Sequence, residues 1–225
     1  NLAALEQVAR EVTALGSSAL IIPTDVREPA QCTALVERTL AEWGRLDILI
    51  NNAGLGYSNR VGDLSADEVR AQIDTDLTGV IWCCNAAVPA MLSAGRGAII
   101  NIGSVAGRIG LPTSSVYCAA KFGLDGFSQS LRAEVHRQGI AVALLNPGFV
   151  ATDFSRRASR GDVDTRSRPG PEMSADEVAA MILRLLLRPR RQVVMTWPYA
   201  LLTGISRLLP GLVSWGMARV GSRLK

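Results

Sequence analysis

Tyr117 and Lys121 are the residues whose types and spacing point most directly to chemistry. They lie four positions apart in a segment with helical periodicity, so both side chains are expected on one helix face. A tyrosine ordinarily ionises near pH 10, which is too high for ready proton exchange at neutral pH. A lysine ammonium held one turn away favours the phenolate and is expected to lower the tyrosine pKa. The pair therefore predicts a general acid/base, although the same spacing also occurs in ordinary exposed helix pairs.

Three polar or glycine-rich turns are predicted to lie close to this pair. Ser104 comes just after the apolar residues 98–102, residues 51–54 follow another apolar segment, and Pro147 with Gly148 follow a third. In open α/β sheets, ligands bind at the carboxyl ends of the strands. A serine hydroxyl at that edge can donate a hydrogen bond to a substrate oxygen while the tyrosine transfers a proton.

The elements that must position these residues alternate between strands and helices. The segments predicted as strands are residues 19–23, 46–50, 98–102, 140–145 and 192–195. The segments predicted as helices are residues 1–15, 29–43, 65–94, 115–138 and a last helix that begins with a capping box at Ser174 and Glu177. Such alternation predicts a parallel sheet that is covered on both faces. We expect one domain over residues 1–225, with a core at 1–196 and an apolar, basic extension at 197–225.

Composition excludes several other classes of protein. The net charge of +4 comes from 24 basic and 20 acidic residues, which is too small an excess to indicate a nucleic-acid surface. The four cysteines form no Cys-x-x-Cys pair and there is one histidine, so neither a metal site nor a disulfide framework is expected. This pattern is typical of a reducing compartment, and we expect a cytoplasmic protein. The arginines between Arg156 and Arg168 are interpreted as a solvated lid, with attraction of an acidic substrate as the alternative.

In order and spacing, these motifs resemble the classical short-chain dehydrogenase/reductase family. The resemblance covers residues 1–196 and rests on Asn51-Asn52-Ala53-Gly54, Ser104, Tyr117 with Lys121, and Pro147-Gly148 with Thr152. It implies a Rossmann-like, doubly wound parallel sheet. It also implies an oxidoreductase that uses NAD or NADP to interconvert a small-molecule carbonyl and a secondary alcohol. Homo-oligomers built on the two long helices are implied as well.

The resemblance assigns a role to each matching residue. Ser104 would orient and polarise the carbonyl, Tyr117 would transfer the proton, and Lys121 would hold the nicotinamide ribose and tune Tyr117. The other positions implied for the cofactor are Asp25 and Val26 at the adenine, Asn52, Ala53 and Gly54 in the cleft, and Pro147, Gly148, Val150 and Thr152 at the nicotinamide.

Two departures from the family pattern are expected to matter. Asp76 stands where the family usually has an asparagine that joins the lysine to a proton relay, so Asp76 is either a tolerated replacement or a sign of altered activity. The family's first strand, its Gly-x-x-x-Gly-x-Gly turn, the following helix and the second strand are not recognised in this sequence. We therefore expect a gap between strands 19–23 and 46–50, or a shifted pairing of the two, and no activity from residues 1–225 alone. The rival function is a non-catalytic family member that serves in binding or assembly.

Three other interpretations, two of single residues and one of the C-terminal stretch, remain open. Ser104 could be a hydrolase nucleophile with His136 as its base, but residues 103–107 do not match Gly-x-Ser-x-Gly. Cys118 could be a reactive thiol, although a helix-packing cysteine is the simpler interpretation. The apolar and basic stretch at 197–225 could lie on a membrane, cap the substrate pocket or contact a partner subunit.

Overall fold

The strands are those of a parallel sheet, as the alternating pattern predicts. A computed structural model of the chain describes residues 1–152, 154 and 172–221. The strands are β1 (Ile48–Asn51), β2 (Gly97–Ile102), β3 (Ile140–Asn146), β4 (Phe149–Val150), β5 (Glu172–Met173) and β6 (Gln192–Val194). The main sheet has the order β1-β2-β3-β6 with every pair parallel, and β4 pairs with β5 separately.

Helices cover both faces of this sheet. They are α1 (Leu2–Ala14), α2 (Pro29–Trp43), α3 (Ala66–Ile73), α4 (Gly79–Ala94), α5 (Ser115–Val135), α6 (Ala175–Leu187), α7 (Trp197–Leu208) and α8 (Pro210–Gly221). On one face, Ile99 of β2 packs with Val80 of α4 and Leu124 of α5. On the other face, the next residue, Ile100, packs with Leu185 of α6. The alternation of neighbouring strand residues between two apolar layers is what a sheet buried on both sides requires, and it confirms the predicted fold class.

The prediction of a strand at residues 19–23 is wrong. That segment has no regular secondary structure and forms no ladder, and β1 pairs with β2 alone among the described residues. Ile48 and Ile50 of β1 are accordingly 43% and 42% exposed. An apolar run becomes a strand only where a neighbouring strand accepts its backbone hydrogen bonds, and no such neighbour lies beside this segment. The expected shifted pairing of residues 19–23 with β1 is therefore also wrong.

The single helix predicted at residues 65–94 consists of three parts. It begins with the predicted capping box, in which the Glu68 amide donates to Ser65 Oγ at 3.2 Å and the Ser65 amide donates to the Glu68 carboxylate at 2.9 Å. A π-helical turn at Asp74–Thr78 then joins α3 to α4. Within the part of the chain that the structure describes, Ala66–Ala94 is the one stretch long and apolar enough to cross a membrane by length and composition. Within this stretch, Val80 and Met91 of α4 are buried in the apolar core beside the sheet.

Candidate active site

Helix α5 places Tyr117 and Lys121 side by side, as their spacing predicts. The Lys121 Nζ atom lies 5.6 Å from the centroid of the Tyr117 ring. Lys121 is 5% exposed, whereas Tyr117 is partly buried. A buried lysine beside a tyrosine is an unusual arrangement, because a lysine is almost never buried unless its charge has a partner.

Ser104 approaches this pair from the carboxyl end of β2. Its hydroxyl oxygen accepts a hydrogen bond from the Ala106 amide at 3.1 Å, which folds residues 104–107 into a tight turn. A Cβ atom on Gly107 would lie 2.6 Å from the backbone oxygen of Lys121. Only glycine therefore allows this turn to pack directly on α5. Ser104 is one of the neighbours that lower the pKa of the Tyr117 phenol.

Asp76 in the π-helical turn is the charged partner of Lys121. The Asp76 Oδ1 atom lies 3.3 Å from Lys121 Nζ and accepts a hydrogen bond from the Leu55 amide at 3.1 Å. The lysine amine also donates to the Ile102 carbonyl at 3.1 Å. Asp76 is completely buried, and its Oδ2 atom has no hydrogen-bond partner among the described residues. Burial raises the pKa of Asp76, and the attraction of Lys121 and the Leu55 hydrogen bond offset this only in part.

The pKa of Tyr117 is raised above its ordinary value, so the predicted lowering is wrong as a net effect. Burial of the phenol is the largest cause, because it disfavours the phenolate. Lys121 and the interaction with Ser104 lower the pKa as expected, whereas the Asp76 carboxylate raises it further. The sequence shows the cation one turn away, but it shows neither the burial nor the anion that faces the same cation.

A row of asparagines at the strand ends was not predicted. Asn51, Asn101 and Asn146 are all buried, and each lies at or next to the last residue of its strand. The Asn51 side-chain Nδ2 donates to the Asn101 side-chain oxygen at 2.8 Å, and the Asn101 side-chain Nδ2 donates to Ser128 Oγ at 2.9 Å. These bonds tie β1, β2 and α5 together just behind the cleft. The sequence signal was the recurrence of asparagine at the end of three apolar segments.

The turn after β1 is open to solvent beside the buried ion pair. Asn52, Ala53 and Gly54 are exposed. A Cβ atom on Gly54 would lie 3.1 Å from Asp76 Oδ1, so the turn passes close over the carboxylate. Val26 and Ala53 line one shallow recess, whose other lining residues are Asn51, Thr75, Gly79, Val80 and Cys83. The structure thus brings Val26 to the same edge of the sheet as the turn.

Asp25 is already engaged by a neighbouring cation. Its carboxylate pairs with the Arg27 guanidinium at 2.5 Å and accepts the Arg27 amide at 3.0 Å. The side-chain hydrogen bond from Arg27 is the main reason why the pKa of Asp25 is lowered. Since both groups are partly exposed, this pair contributes little to stability. Because its carboxylate is engaged by Arg27, Asp25 would contact an adenine mainly through its backbone.

The residues predicted for the nicotinamide end lie in the turn after β3, in β4 and just beyond it. The Pro147 carbonyl accepts the Val105 amide at 3.1 Å, which joins the turn after β3 to the turn after β2. Gly148 contacts the Tyr199 ring of α7, since a Cβ atom there would lie 2.2 Å from the ring. Val150 lies in β4, and the exposed Thr152 donates its amide to the Val150 carbonyl at 2.9 Å.

Phe154 is a further residue at the cleft that the sequence did not single out. Its ring centroid lies 5.9 Å from that of Tyr117, in a tilted arrangement. A Cβ atom on Gly54 would lie 3.9 Å from the same ring. Phe154 therefore lies between the turn after β1 and the tyrosine. Its proximity to both elements depends on the backbone after β4 and could not be seen in the local pattern.

The structure separates Ser104 from the base that a hydrolase would need. His136 is exposed, just beyond the far end of α5 from Tyr117. The nineteen helical positions from Tyr117 to His136 correspond to about 28 Å, so His136 is far beyond hydrogen-bond reach of the candidate site.

Cys118 is buried, and its sulfur contacts the Ile109 carbonyl and the Leu111 amide. These contacts agree with the interpretation of Cys118 as a helix-packing residue. No group of three metal-ligating side chains occurs among the described residues. The expected lid, Arg156 to Arg168, lies outside them.

Comparisons with known proteins all point to one family. A sequence model described as short chain dehydrogenase matches residues 1–162. A 3-ketodihydrosphingosine reductase of Bacteroides thetaiotaomicron is 39% identical over 135 residues, which are 60% of this chain and 50% of that protein. The match therefore spans half the length of that relative. A 3-oxoacyl-(acyl-carrier-protein) reductase of Salmonella typhimurium is 37% identical over 75% of this chain and 70% of its own length.

A solved structure agrees with this likeness. The crystal structure of a metagenomic short-chain oxidoreductase in complex with NADP superposes with a TM-score of 0.73 and 26% identity. The superposition covers 87% of this chain and 81% of that one.

Proposed function

Because the chain belongs to the short-chain dehydrogenase family, we propose that the protein is an NAD(P)-dependent oxidoreductase that interconverts a small-molecule carbonyl and a secondary alcohol. The observation that carries this proposal is the meeting of Ser104, Tyr117 and Lys121 at one edge of the sheet. A hydroxyl donor, a phenol and a buried cation can together bind a carbonyl oxygen and give it a proton. The fold around them is the one that the family uses.

Each of the three side chains has a distinct task in this proposal. Ser104 holds the substrate oxygen by a hydrogen bond. Tyr117 gives its proton to that oxygen when the carbonyl is reduced and takes a proton back when an alcohol is oxidised. Its raised pKa keeps the phenol protonated at neutral pH and makes it a weaker acid, so the nearby charge of Lys121 is needed to favour proton release. Lys121, held by Asp76 and the Ile102 carbonyl, keeps a positive charge where a phenolate would form.

The residues present fit the ribose and nicotinamide half of NAD or NADP. The exposed turn at residues 52–54 comes closest to Asp76 at Gly54, which has no side chain. The backbone of this turn is therefore accessible to a ligand near the Asp76–Lys121 pair. Lys121 would hold ribose hydroxyls, and the turn after β3, from Pro147 to Thr152, would border the ring. When bound, the cofactor supplies or accepts the hydride. Val26 and Ala53 would border the adenine at the shallow recess.

Assembly into homo-oligomers is part of the same proposal. Phe122 of α5 is 47% exposed and Leu92 of α4 is 42% exposed, although both helices otherwise belong to the core. Exposed large apolar residues on core helices are consistent with a contact between subunits. A cytoplasmic location is proposed because the four cysteines, all of them described and buried, form no disulfide.

The test is a comparison of Tyr117→Phe with the unchanged full-length protein, using NADH or NADPH and a panel of ketones. The variant keeps the ring and removes the proton, so turnover should fall about 10²- to 10⁴-fold, with cofactor affinity nearly unchanged. Ser115→Ala, an exposed change on the same helix, is the control and should keep full turnover. Undiminished turnover by Tyr117→Phe would refute the proposal.

The rival function is that of a non-catalytic family member that binds or assembles. One observation favours it: Asp76 neutralises part of the charge that Lys121 would otherwise direct at Tyr117. The same experiment separates the two functions. The rival predicts that the unchanged full-length protein turns over no carbonyl or alcohol with either cofactor, whereas the enzyme proposal requires turnover.

A further inference from the structure

Helices α7 and α8, which we call the C-terminal helix pair, display an apolar face to solvent. On α7, Trp197 is 77% exposed, Leu201 56% and Leu208 81%. These residues recur at intervals of four and seven, so they share one side of the helix. On α8, Leu212 is 57% exposed and Trp215 is 55% exposed at an interval of three. Each helix thus presents large apolar side chains outward along its length.

The opposite side of the helix pair is attached to the domain. Tyr199 packs against Gly148, and Thr203 and Val213 are 7% and 9% exposed. The Ser206 hydroxyl approaches the Arg108 carbonyl at 3.5 Å. Because these contacts use the inward side, the apolar outward face is not an unpacked part of the core. None of the described residues covers this face, and a partner outside the chain would bury it.

The charge of the C-terminal part of the sequence indicates the chemistry of that partner. The sequence contains no aspartate or glutamate after Glu177, so residues 178–225 carry positive charge only. The basic residues of this segment are Arg184, Arg188, Arg190, Arg191, Arg207, Arg219, Arg223 and Lys225. Arg207 precedes the most exposed leucine of α7, and the Arg219 guanidinium lies 3.6 Å from the centroid of the Trp215 ring. Apolar, aromatic and cationic groups therefore occur together on the helix pair.

We propose that the C-terminal helix pair binds the surface of an anionic lipid bilayer. The leucines would enter the acyl region, the tryptophans would lie at the headgroup level, and the arginines would contact anionic headgroups. Each helix has 12 residues and is about 18 Å long, too short to cross a hydrocarbon core of about 30 Å. The helices therefore lie in the plane of the surface. A second copy of the chain fits this face less well, because a symmetric contact brings like charges together.

The experiment is co-sedimentation of the full-length protein with vesicles of phosphatidylcholine, alone or mixed with phosphatidylglycerol. Binding to the mixed vesicles should be stronger and should weaken with added salt. Arg207→Gln should reduce the partition coefficient about fivefold, since one cation at such a surface contributes about 1 kcal/mol. Trp197→Ala should also reduce it. The controls are Arg10→Gln on α1 and Trp43→Ala at the end of α2, which is 46% exposed, and both should bind as the unchanged protein does.

Three results would overturn the proposal. The first is absence of binding to the mixed vesicles, or equal binding to both kinds of vesicle. The second is an equal loss of binding in the control variants. The third is seen by analytical ultracentrifugation without lipid: if Trp197→Ala separates an oligomer and leaves vesicle binding unchanged, the face is an interface between subunits.

Discussion

Lys121 and Asp76 form a buried ion pair, with 3.3 Å between Nζ and Oδ1. The carboxylate also fixes the turn after β1 through the Leu55 amide, and the amine fixes the end of β2 through the Ile102 carbonyl. The pair therefore joins the π-helical turn, α5 and two strand ends. It supports the candidate site mechanically as well as electrostatically, and these two roles can be separated by substitution.

Asp76→Leu should destabilise the protein by about 3–5 kcal/mol, because it leaves the Lys121 charge buried without its partner. Asp76→Asn keeps an oxygen that can accept hydrogen bonds from both Leu55 and Lys121, so this variant should lose clearly less stability than Asp76→Leu. Urea unfolding measures both variants. Equal losses would show that the negative charge, and not the acceptor geometry, holds the pair together.

In turnover assays of the full-length protein, Asp76→Asn should keep or raise the rate. The reason is that the Asp76 carboxylate raises the pKa of Tyr117 and opposes the effect of Lys121. The control is Asp67→Asn, which makes the same chemical change at an exposed position of α3. A change at Gln72 would not serve, because Gln72 is buried. A collapse of turnover in Asp76→Asn would assign the carboxylate a role of its own in proton transfer.

The pH dependence of stability provides an independent test of the raised Asp76 pKa. A raised pKa means that the folded state holds the proton more tightly than the unfolded chain does. This contribution to stability is complete below the unfolded pKa of about 3.9 and is lost as the pH rises through the folded pKa. The free energy of unfolding of the unchanged protein, relative to Asp76→Asn, should therefore fall as the pH rises above about 4. An increase over that range would mean that the attraction of Lys121 outweighs the effect of burial.

Gly107→Ala should separate Ser104 from α5. The added Cβ would lie 2.6 Å from the Lys121 backbone oxygen, which cannot rotate away as a side chain could. Overpacking of this kind typically costs about 1–3 kcal/mol, and turnover should fall with it because Ser104 moves with the turn. Gly110→Ala is the matched control, since a Cβ there meets nothing within 4 Å. Thermal unfolding of both variants measures the difference, and equal midpoints would show that the close approach is not limiting.

Residues 1–225 alone should bind neither NADH nor NADPH measurably. No Gly-x-x-x-Gly-x-Gly turn occurs in these residues, and such a turn supplies the amides that hold a pyrophosphate. Isothermal titration with NADH and with NADPH measures this directly. Micromolar binding by residues 1–225 would show that another part of the chain replaces the glycine turn.

The sequence predicts local features well, because their causes are local. The capping boxes at Ser65 and Ser174 and the helix end at Gly44 follow from hydrogen bonds and backbone angles within a few residues, and all three occur in the structure. The strand at residues 19–23 and the lowered Tyr117 pKa were wrong predictions for the opposite reason. The first depends on a neighbouring strand and the second on burial and on Asp76, neither of which lies near in the sequence.

The π-helical turn at Asp74–Thr78 also limits how the length of this chain can vary. Its backbone bond runs from the Gly79 amide to the Asp74 carbonyl, one residue further than in an α-helix. Removing one residue here would restore the α-helical bond but would turn one half of the helix by about 100° against the other. Either Asp76 would then leave Lys121, or Gly79 would leave Val26, against which its backbone packs. Insertions and deletions of a single residue should therefore be far less tolerated at this turn than substitutions.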